Sequence, residues 1–346
     1  MESTQTVGAR FIVPWAGAHP GTINRAPTEH LCQKVAFTLL HVKGSRPKMK
    51  VIPPDIKLLV IDIDGTLLTP DKRITPRTHA MVQAAQQAGI VVTLATGRRY
   101  FNSAPMAAEL ALTIPLIVCD GATIIQHPNG NVLHTHLLNA DIAQQAVEIM
   151  IRHTIQPIVH YIHADGTEET WTGLFEQDNE WITPYFAAFP ENIRRLAHNE
   201  LCSGQSALLR VVALGSEDVI YNRLAQEISA LDCAWNMIPL GNYGSAELAV
   251  MQVSCSKANA VRALAQSLNI ALENVMAIGD NNNDIKMLQE VGWGVAMGHA
   301  NEAVKAAAKA ITSSNTEDGV AQAIDRYVLL RAASPDSNSL KRQTCL

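Results

Sequence analysis

The chain has 346 residues, 47% of them hydrophobic and 17% charged, with a formal net charge of −5. That length suits one large or two medium domains, and the balance of apolar and charged residues is that of a globular enzyme, not a disordered chain. No Lys/Arg-rich block and no apolar stretch near the roughly 18 residues of a membrane span occur, which argues against nucleic-acid and membrane partners.

Six cysteines (Cys32, Cys119, Cys202, Cys233, Cys255 and Cys345) are scattered with no C-x-x-C pair, so buried thiols in a reducing, cytoplasmic compartment are expected. Residues 1–50 hold two acidic residues, Glu2 and Glu29, against seven basic ones, and show no sustained period. They read as a loosely ordered tail, with Met49 a candidate start. Ser3 and Ser45 are too few serines for a transit peptide, and the apolar run Val35 to Leu40 lies too deep for a secretory signal.

The first strand is the apolar run Leu58 to Ile61, which breaks into Asp62-Ile63-Asp64-Gly65-Thr66. Such a run suits a strand buried on both faces of a parallel sheet. Side chains two apart on an extended chain share a side, so Asp62 and Asp64 would lie together and repel unless a cation or shared proton relieves them. Taken alone, the pair also suits an exposed turn. Thr75-Pro76 then opens a helix running to Gly89. A second apolar run, Ile90 to Ala95, ends in Thr96-Gly97-Arg98, and a helix through about Leu112 leads to a third strand, Pro115 to Cys119. Strand–helix alternation with apolar strands predicts a parallel sheet covered on both faces.

The pattern changes at Asp120-Gly121. Thr123 to Gln126 and Val132 to Leu138 flank Pro128-Asn129-Gly130, a hairpin signal. Asp141 is positioned to cap a helix ending near His153. Strands are predicted at Ile158 to Ile162, Leu208 to Leu214, Trp235 to Pro239 and Glu247 to Val253, with a helix from about Ser216 to Ala230. This mixture marks an α+β module inserted over 121–249, its aromatics core or lid packing. His134, His136, His160 and His163 have strand spacing with no Cys or carboxylate set and read as surface strand histidines. Alternation resumes with a helix over Lys257 to Leu268 and a strand over Val275 to Ile278 that ends in Gly279-Asp280. Asn283-Asp284 opens another helix. A short strand over Gly294 to Met297, a helix near Asn301 to Ala308, a strand near Ala310 to Thr312 and a helix from about Glu317 to Leu330 follow. Residues 331–346 form a polar tail.

Three apolar strands therefore end in polar residues: Asp62/Asp64, Thr96 and Asp280. In an open α/β sheet, ligands bind at the carboxyl ends of the strands, so these sets would converge there. Lys257 sits at a helix start, which disfavours a cation through the helix dipole, so a contacted anion explains it better than solvent does.

Together these residues resemble the haloacid dehalogenase superfamily, whose four motifs stand here as Asp62-Ile63-Asp64-Gly65-Thr66, Thr96-Gly97-Arg98, Lys257, and Gly279-Asp280-Asn281-Asn282-Asn283-Asp284. The stretch 63–95 is too short for an inserted domain and 97–256 is long enough, which resembles the Cof-type, IIB branch. The resemblance implies an α/β fold: a Rossmann-like parallel-sheet core over 51–120 and 250–330, carrying an α+β cap of type C2 over 121–249. Two departures are Asp120-Gly121, where the branch has Asn-Gly, and Ala258, where it has glycine.

The implied activity is a phosphatase acting on a small-molecule phosphate ester through an aspartyl-phosphate. Asp62 would be the nucleophile and Asp64 the general acid and base, while Thr96, Gly97, Lys257 and Asn283 would bind phosphate. The negative charges of Asp62, Asp64, Asp280 and Asp284 require a hard cation, so Mg²⁺ is the expected cofactor. By the resemblance its ligands are the Asp62 carboxylate, the Asp64 backbone carbonyl and Asp280, with Asp284 a ligand through water or a partner of the ligands. A phosphotransferase or phosphomutase of the same fold, and a non-catalytic phosphometabolite binder, are the alternatives.

Overall fold

The computed structural model describes residues 54–190, 192–240 and 245–330. The expected tails over 1–50 and 331–346, with Cys32 and Cys345, lie outside these residues. The chain opens with β1 (Leu58–Ile61), helix Pro76–Gln87 and β2 (Val91–Leu94). After helix Tyr100–Glu109 it forms β3 (Leu116–Val118), β4 (Thr123–Ile125) and β5 (Val132–Thr135). Helix Ala140–Arg152 leads to β6 (Ile158–Ile162), β7 (Glu168–Thr172), β8 (Ile193–Arg195), β9 (Leu208–Ser216), β10 (Ala234–Pro239) and β11 (Ser245–Met251). Helix Lys257–Ser267 returns the chain to β12 (Val275–Gly279), β13 (Trp293–Ala296) and β14 (Ala310–Ile311).

β1 lies inside a parallel sheet of order β14-β13-β12-β1-β2. Its four residues are fully buried because alternate side chains enter opposite cores. Leu59 and Ile61 pack with Met276 and Ile278 on one face, and Leu58 and Val60 with Val275 and Ala277 on the other. The chain leaves β1 for β2 on one side and later returns as β12 on the other. The carboxyl ends of β1 and β12 are therefore neighbours at the point where strand order reverses, with Asp62 N–H donating to the Ile278 carbonyl at 3.0 Å.

The third predicted strand departs from this sheet. β3 pairs antiparallel with β4 and joins the β2 side through the Ala95–Ile117 bridge and the Thr93 hydroxyl, which donates to the Pro115 carbonyl at 2.6 Å. Cys119, Asp120 and Gly121 take φ of 50°, 55° and 91° in succession, which turns the chain back on itself. The helix over 140–152 is capped by Asn139, whose side chain accepts from Asp141 N and Ile142 N. Asp141 lies in the first turn instead, where its charge suits the helix dipole.

The inserted residues form a mostly antiparallel sheet of order β10-β11-β9-β6-β7-β8. β7 and β8 carry Glu168, Glu169, Arg194 and Arg195 near the sheet's edge, so no apolar run announced them. One face of the sheet packs on the helices over 140–152 and 217–228. On the other, Ile158, Val212 and Leu214 meet the short helix Ile182–Ala188, while His160, Arg210 and Glu247 line a crevice toward the parallel sheet. Among the described residues, no helix is long and apolar enough to cross a membrane.

Ile278→Ala should cost about 2–5 kcal/mol in urea unfolding, because the side chain is fully buried beside β1. Ile311→Ala, in the edge strand and 51% exposed, should stay within about 0.5 kcal/mol.

Candidate active site

Asp62 follows β1 directly and is 4% exposed. Its Oδ1 accepts a hydrogen bond from Lys257 Nζ at 2.6 Å, and the same ammonium donates to Asp284 Oδ1 at 2.8 Å. Lys257 is the first residue of helix Lys257–Ser267, whose start is capped by Ser256 Oγ accepting from Asn259 N. The helix dipole opposes a cation there, and the two carboxylates answer that cost. Burial works against the charge on Lys257, yet Asp284, Asp62 and Asp120 outweigh it and raise its pKa. Burial in turn pushes Asp62 well above the usual carboxylate range; Lys257 opposes that shift, and Asp284 and Asp280 add to it. One ammonium is thus set against more negative charge than it can balance.

Asp284 organises the turn after β12. Its Oδ2 accepts from the backbone N–H of Asp280 at 3.0 Å and of Asn281 at 3.1 Å. A Cβ on Gly279 would stand 2.5 Å from the Asp284 Cγ, so the turn requires glycine there. Asp280 Oδ1 accepts from the buried Thr66 hydroxyl at 2.7 Å. Gly65, at φ +82°, brings its backbone against the same carboxylate, where a Cβ would fall 2.3 Å from Oδ2.

Oxygens of Asp62, Asp280 and Asp284 lie within 4.8 Å of one another, a set of hard donors that suits a divalent cation. Both Asp284 oxygens are already engaged, whereas Asp62 and Asp280 each have one oxygen without a hydrogen bond. Asp62 and Asp280 therefore fit direct ligation, and Asp284 fits the role of holding Lys257 and the turn in place.

Asp64 also lines the crevice but turns to different partners. Arg98 grips it with both arms, Nε to Oδ2 at 2.6 Å and Nη2 to Oδ1 at 2.7 Å, and Lys72 Nζ adds a contact at 3.0 Å. Burial works to raise its pKa, but Arg98 and Lys72 hold it below the ordinary range. Thr96 is buried after β2, and its Oγ1 accepts from Arg98 N at 3.1 Å. Asn283 Nδ2 donates to Asp120 Oδ1 at 2.8 Å. Asp120 sits behind Gly97, where a Cβ would come 3.1 Å from its Oδ2. The aspartate in place of asparagine thus tolerates the left-handed backbone, accepts from Asn283 and adds negative charge near Lys257.

The crevice, a cavity of about 670 Å³, is lined on one side by the inserted sheet. Arg210 Nη1 donates to the Gly97 carbonyl at 2.9 Å and Nε to His160 Nδ1 at 2.9 Å. His160 is 1% exposed and so is no surface histidine. Burial, then Arg210 and Arg99, hold its pKa well below the usual value, so the ring is neutral. Accepting at Nδ1 leaves the proton on Nε2, which donates to Tyr185 Oη at 3.0 Å. The other three histidines are at least partly exposed: His134 and His136 hydrogen-bond each other at 3.0 Å, and His163 pairs with Glu169 at 3.0 Å. Arg98, Lys72, Thr66 and Arg210 carry no assigned role in the sequence reading. A charged Arg210 inside the apolar run Leu208 to Leu214 was a legible signal. Among the described residues, Cys119, Cys202, Cys233 and Cys255 are free thiols.

A family model described as haloacid dehalogenase-like hydrolase matches residues 59–324. A 5-amino-6-(5-phospho-D-ribitylamino)uracil phosphatase of Bacillus subtilis is 30% identical, the match covering 80% of this chain and 97% of the relative. A pyridoxal phosphate phosphatase of Escherichia coli is 27% identical over 79% of this chain and 99% of its own length. The solved structure of a haloacid dehalogenase-like hydrolase from Bacteroides thetaiotaomicron superposes with a TM-score of 0.63 at 27% identity, covering 78% of this chain and 99% of that one.

Gly65→Ala should weaken calorimetric divalent-cation binding by roughly 10- to 100-fold, because the added methyl displaces the Asp280 carboxylate. An unchanged affinity would show that Asp280 does not hold the ion.

Proposed function

Because the chain belongs to the haloacid dehalogenase-like hydrolases of Cof type and is a phosphoric monoester hydrolase, we propose that it is a IIB-type, Mg²⁺-dependent phosphatase working through an aspartyl-phosphate on Asp62. The observation that carries this reading is the buried Lys257 shared between Asp62 and Asp284, beside Asp280, where β1 and β12 end. The substrate is a small phosphorylated metabolite, the class named for the relatives.

Asp62 and Asp280 would hold Mg²⁺ with the Asp64 backbone carbonyl. The ion would supply positive charge that keeps Asp62 ionised and lets a phosphate dianion approach. Lys257 orients Asp62 through the 2.6 Å hydrogen bond and offsets charge on the phosphoryl oxygens. The Thr96 hydroxyl and the Gly97 backbone line the same crevice as Asp62 and position those oxygens. A carboxylate oxygen of Asp62 attacks phosphorus, the bond from phosphorus to the leaving oxygen breaks, and the leaving alkoxide takes a proton from Asp64. Asp64 then accepts a proton from the water that attacks the aspartyl-phosphate, releasing phosphate and restoring Asp62.

The contacts at Asp64 add a condition to this cycle. Held by Arg98 and Lys72, its carboxylate stays ionised and donates no proton. A phosphoryl group competes for the same two cations, and Asp64 becomes a usable acid as they turn to the substrate.

Asp64→Ala should slow hydrolysis of an alkyl phosphate by roughly 10²- to 10⁴-fold, the contribution of a general acid. p-Nitrophenyl phosphate, whose leaving group departs without a proton, should lose less in its first step and show a burst. Equal slowing of both substrates without a burst would assign Asp64 to position alone.

A further inference from the structure

The half of the crevice that faces away from Asp62 must hold whatever the phosphate is attached to. Its walls come from the inserted sheet, where strand register fixes what looks inward. His160 of β6 stands opposite Arg210 of β9, and Glu247 of β11 stands opposite Leu214 of β9 and Ile238 of β10. The cations of this wall are turned to protein partners: Arg210 to His160 and the Gly97 carbonyl, and Arg99 to Thr170 Oγ1 at 2.7 Å. Glu247 differs. Among the described residues that line the crevice, it is the charged side chain that forms neither a hydrogen bond nor an ion pair. Leaving a carboxylate partly buried without a donor is costly, and a ligand that brings donors removes that cost. Tyr185, Phe189 and Ile238 beside it offer apolar surface to a ring or carbon skeleton.

We propose that Glu247 is the specificity-determining residue of this leaving-group pocket. It selects phosphate monoesters whose leaving group presents hydroxyl or amino donors, and it rejects leaving groups that carry a second anion. This rests on the phosphatase reading above and adds the substrate class. A carboxylate or second phosphate would meet Glu247 with like charge, while Arg210, the cation that acts most on Glu247, already hydrogen-bonds His160 and the Gly97 carbonyl. A hydroxyl or amine would give the Glu247 carboxylate the donor it lacks.

The test uses the full chain with Mg²⁺ and four probes on one skeleton: glucose 6-phosphate, glucosamine 6-phosphate, 6-phosphogluconate and glucose 1,6-bisphosphate. p-Nitrophenyl phosphate serves as the reference for phosphatase activity. The first two should exceed the last two in kcat/KM by on the order of 10- to 100-fold, most of it in KM. Glu247→Gln, which keeps shape and removes charge, should narrow that gap, and so should Glu247→Ala. If the amino group is the preferred donor, the advantage of glucosamine 6-phosphate over glucose 6-phosphate disappears in Glu247→Gln; if hydroxyls are, the two remain equal in both proteins. Equal or better turnover of the acid and the bisphosphate by the wild type would overturn the proposal. So would a gap unchanged in both variants, or no turnover of any of the four by a protein that hydrolyses p-nitrophenyl phosphate. Failure on p-nitrophenyl phosphate itself would remove the phosphatase reading, and this inference with it.

Discussion

Lys257 places one positive charge between two carboxylates, Asp62 and Asp284, with all three side chains buried and a third carboxylate, Asp280, alongside. In a low-dielectric interior, such a group is tolerable only when its charges are paired and its remaining oxygens accept hydrogen bonds. Asp284 meets the condition through Lys257 and two backbone N–H groups. Asp62 and Asp280 meet it only in part, and that shortfall is what a bound cation and a phosphoryl dianion would use. Several local features serve the same arrangement. Gly65 and Gly279 give the carboxylates room, Thr66 fixes Asp280, and Ser256 caps the helix that carries Lys257.

The fold brings together groups that lie far apart in the chain, Lys257 standing 195 positions from Asp62. β1 and β12 are adjacent parallel strands whose next neighbours lie on opposite sides, so the residues after each face one crevice. Thr96 follows β2 on the far side of β1. The inserted sheet then meets the parallel-sheet region through Arg210 on Gly97 and Arg99 on Thr170. The loop after β2 and the inserted sheet are thereby joined by hydrogen bonds, and the crevice carries carboxylates and Lys72 on one side and His160, Arg210 and Glu247 on the other.

Much of this was legible in the residues. Apolar runs that stop at Asp62, Thr96 and Asp280 located the strand ends, because two-sided burial demands such runs and ligand-binding ends interrupt them. Thr75-Pro76 marked a helix start that the structure repeats, with Thr75 accepting from Thr78 N. What escaped was non-local. Asp62 and Asp64 both line the crevice, yet Lys257 holds the first and Arg98 and Lys72 the second, and no spacing rule reveals that Arg98 reaches Asp64. His160 sat in a pattern that reads as surface strand, and only the register with Arg210 shows it buried. β7 and β8 are too polar to announce themselves, and Asn139 outcompeted Asp141 as a cap because it stands two residues earlier, where its side chain reaches the first free N–H groups.

The most direct measurement is made on the peptide that carries the proposed nucleophile. The enzyme is mixed with Mg²⁺ and substrate, quenched in acid within the first turnover, digested with trypsin and read by mass spectrometry over the peptide 58–72. The nucleophile assignment predicts one added phosphoryl group, located at Asp62, that decays with the turnover rate and is missing from Asp62→Asn. Steady hydrolysis with no phosphorylated peptide at any quench time, or a phosphoryl group on another residue, would contradict it.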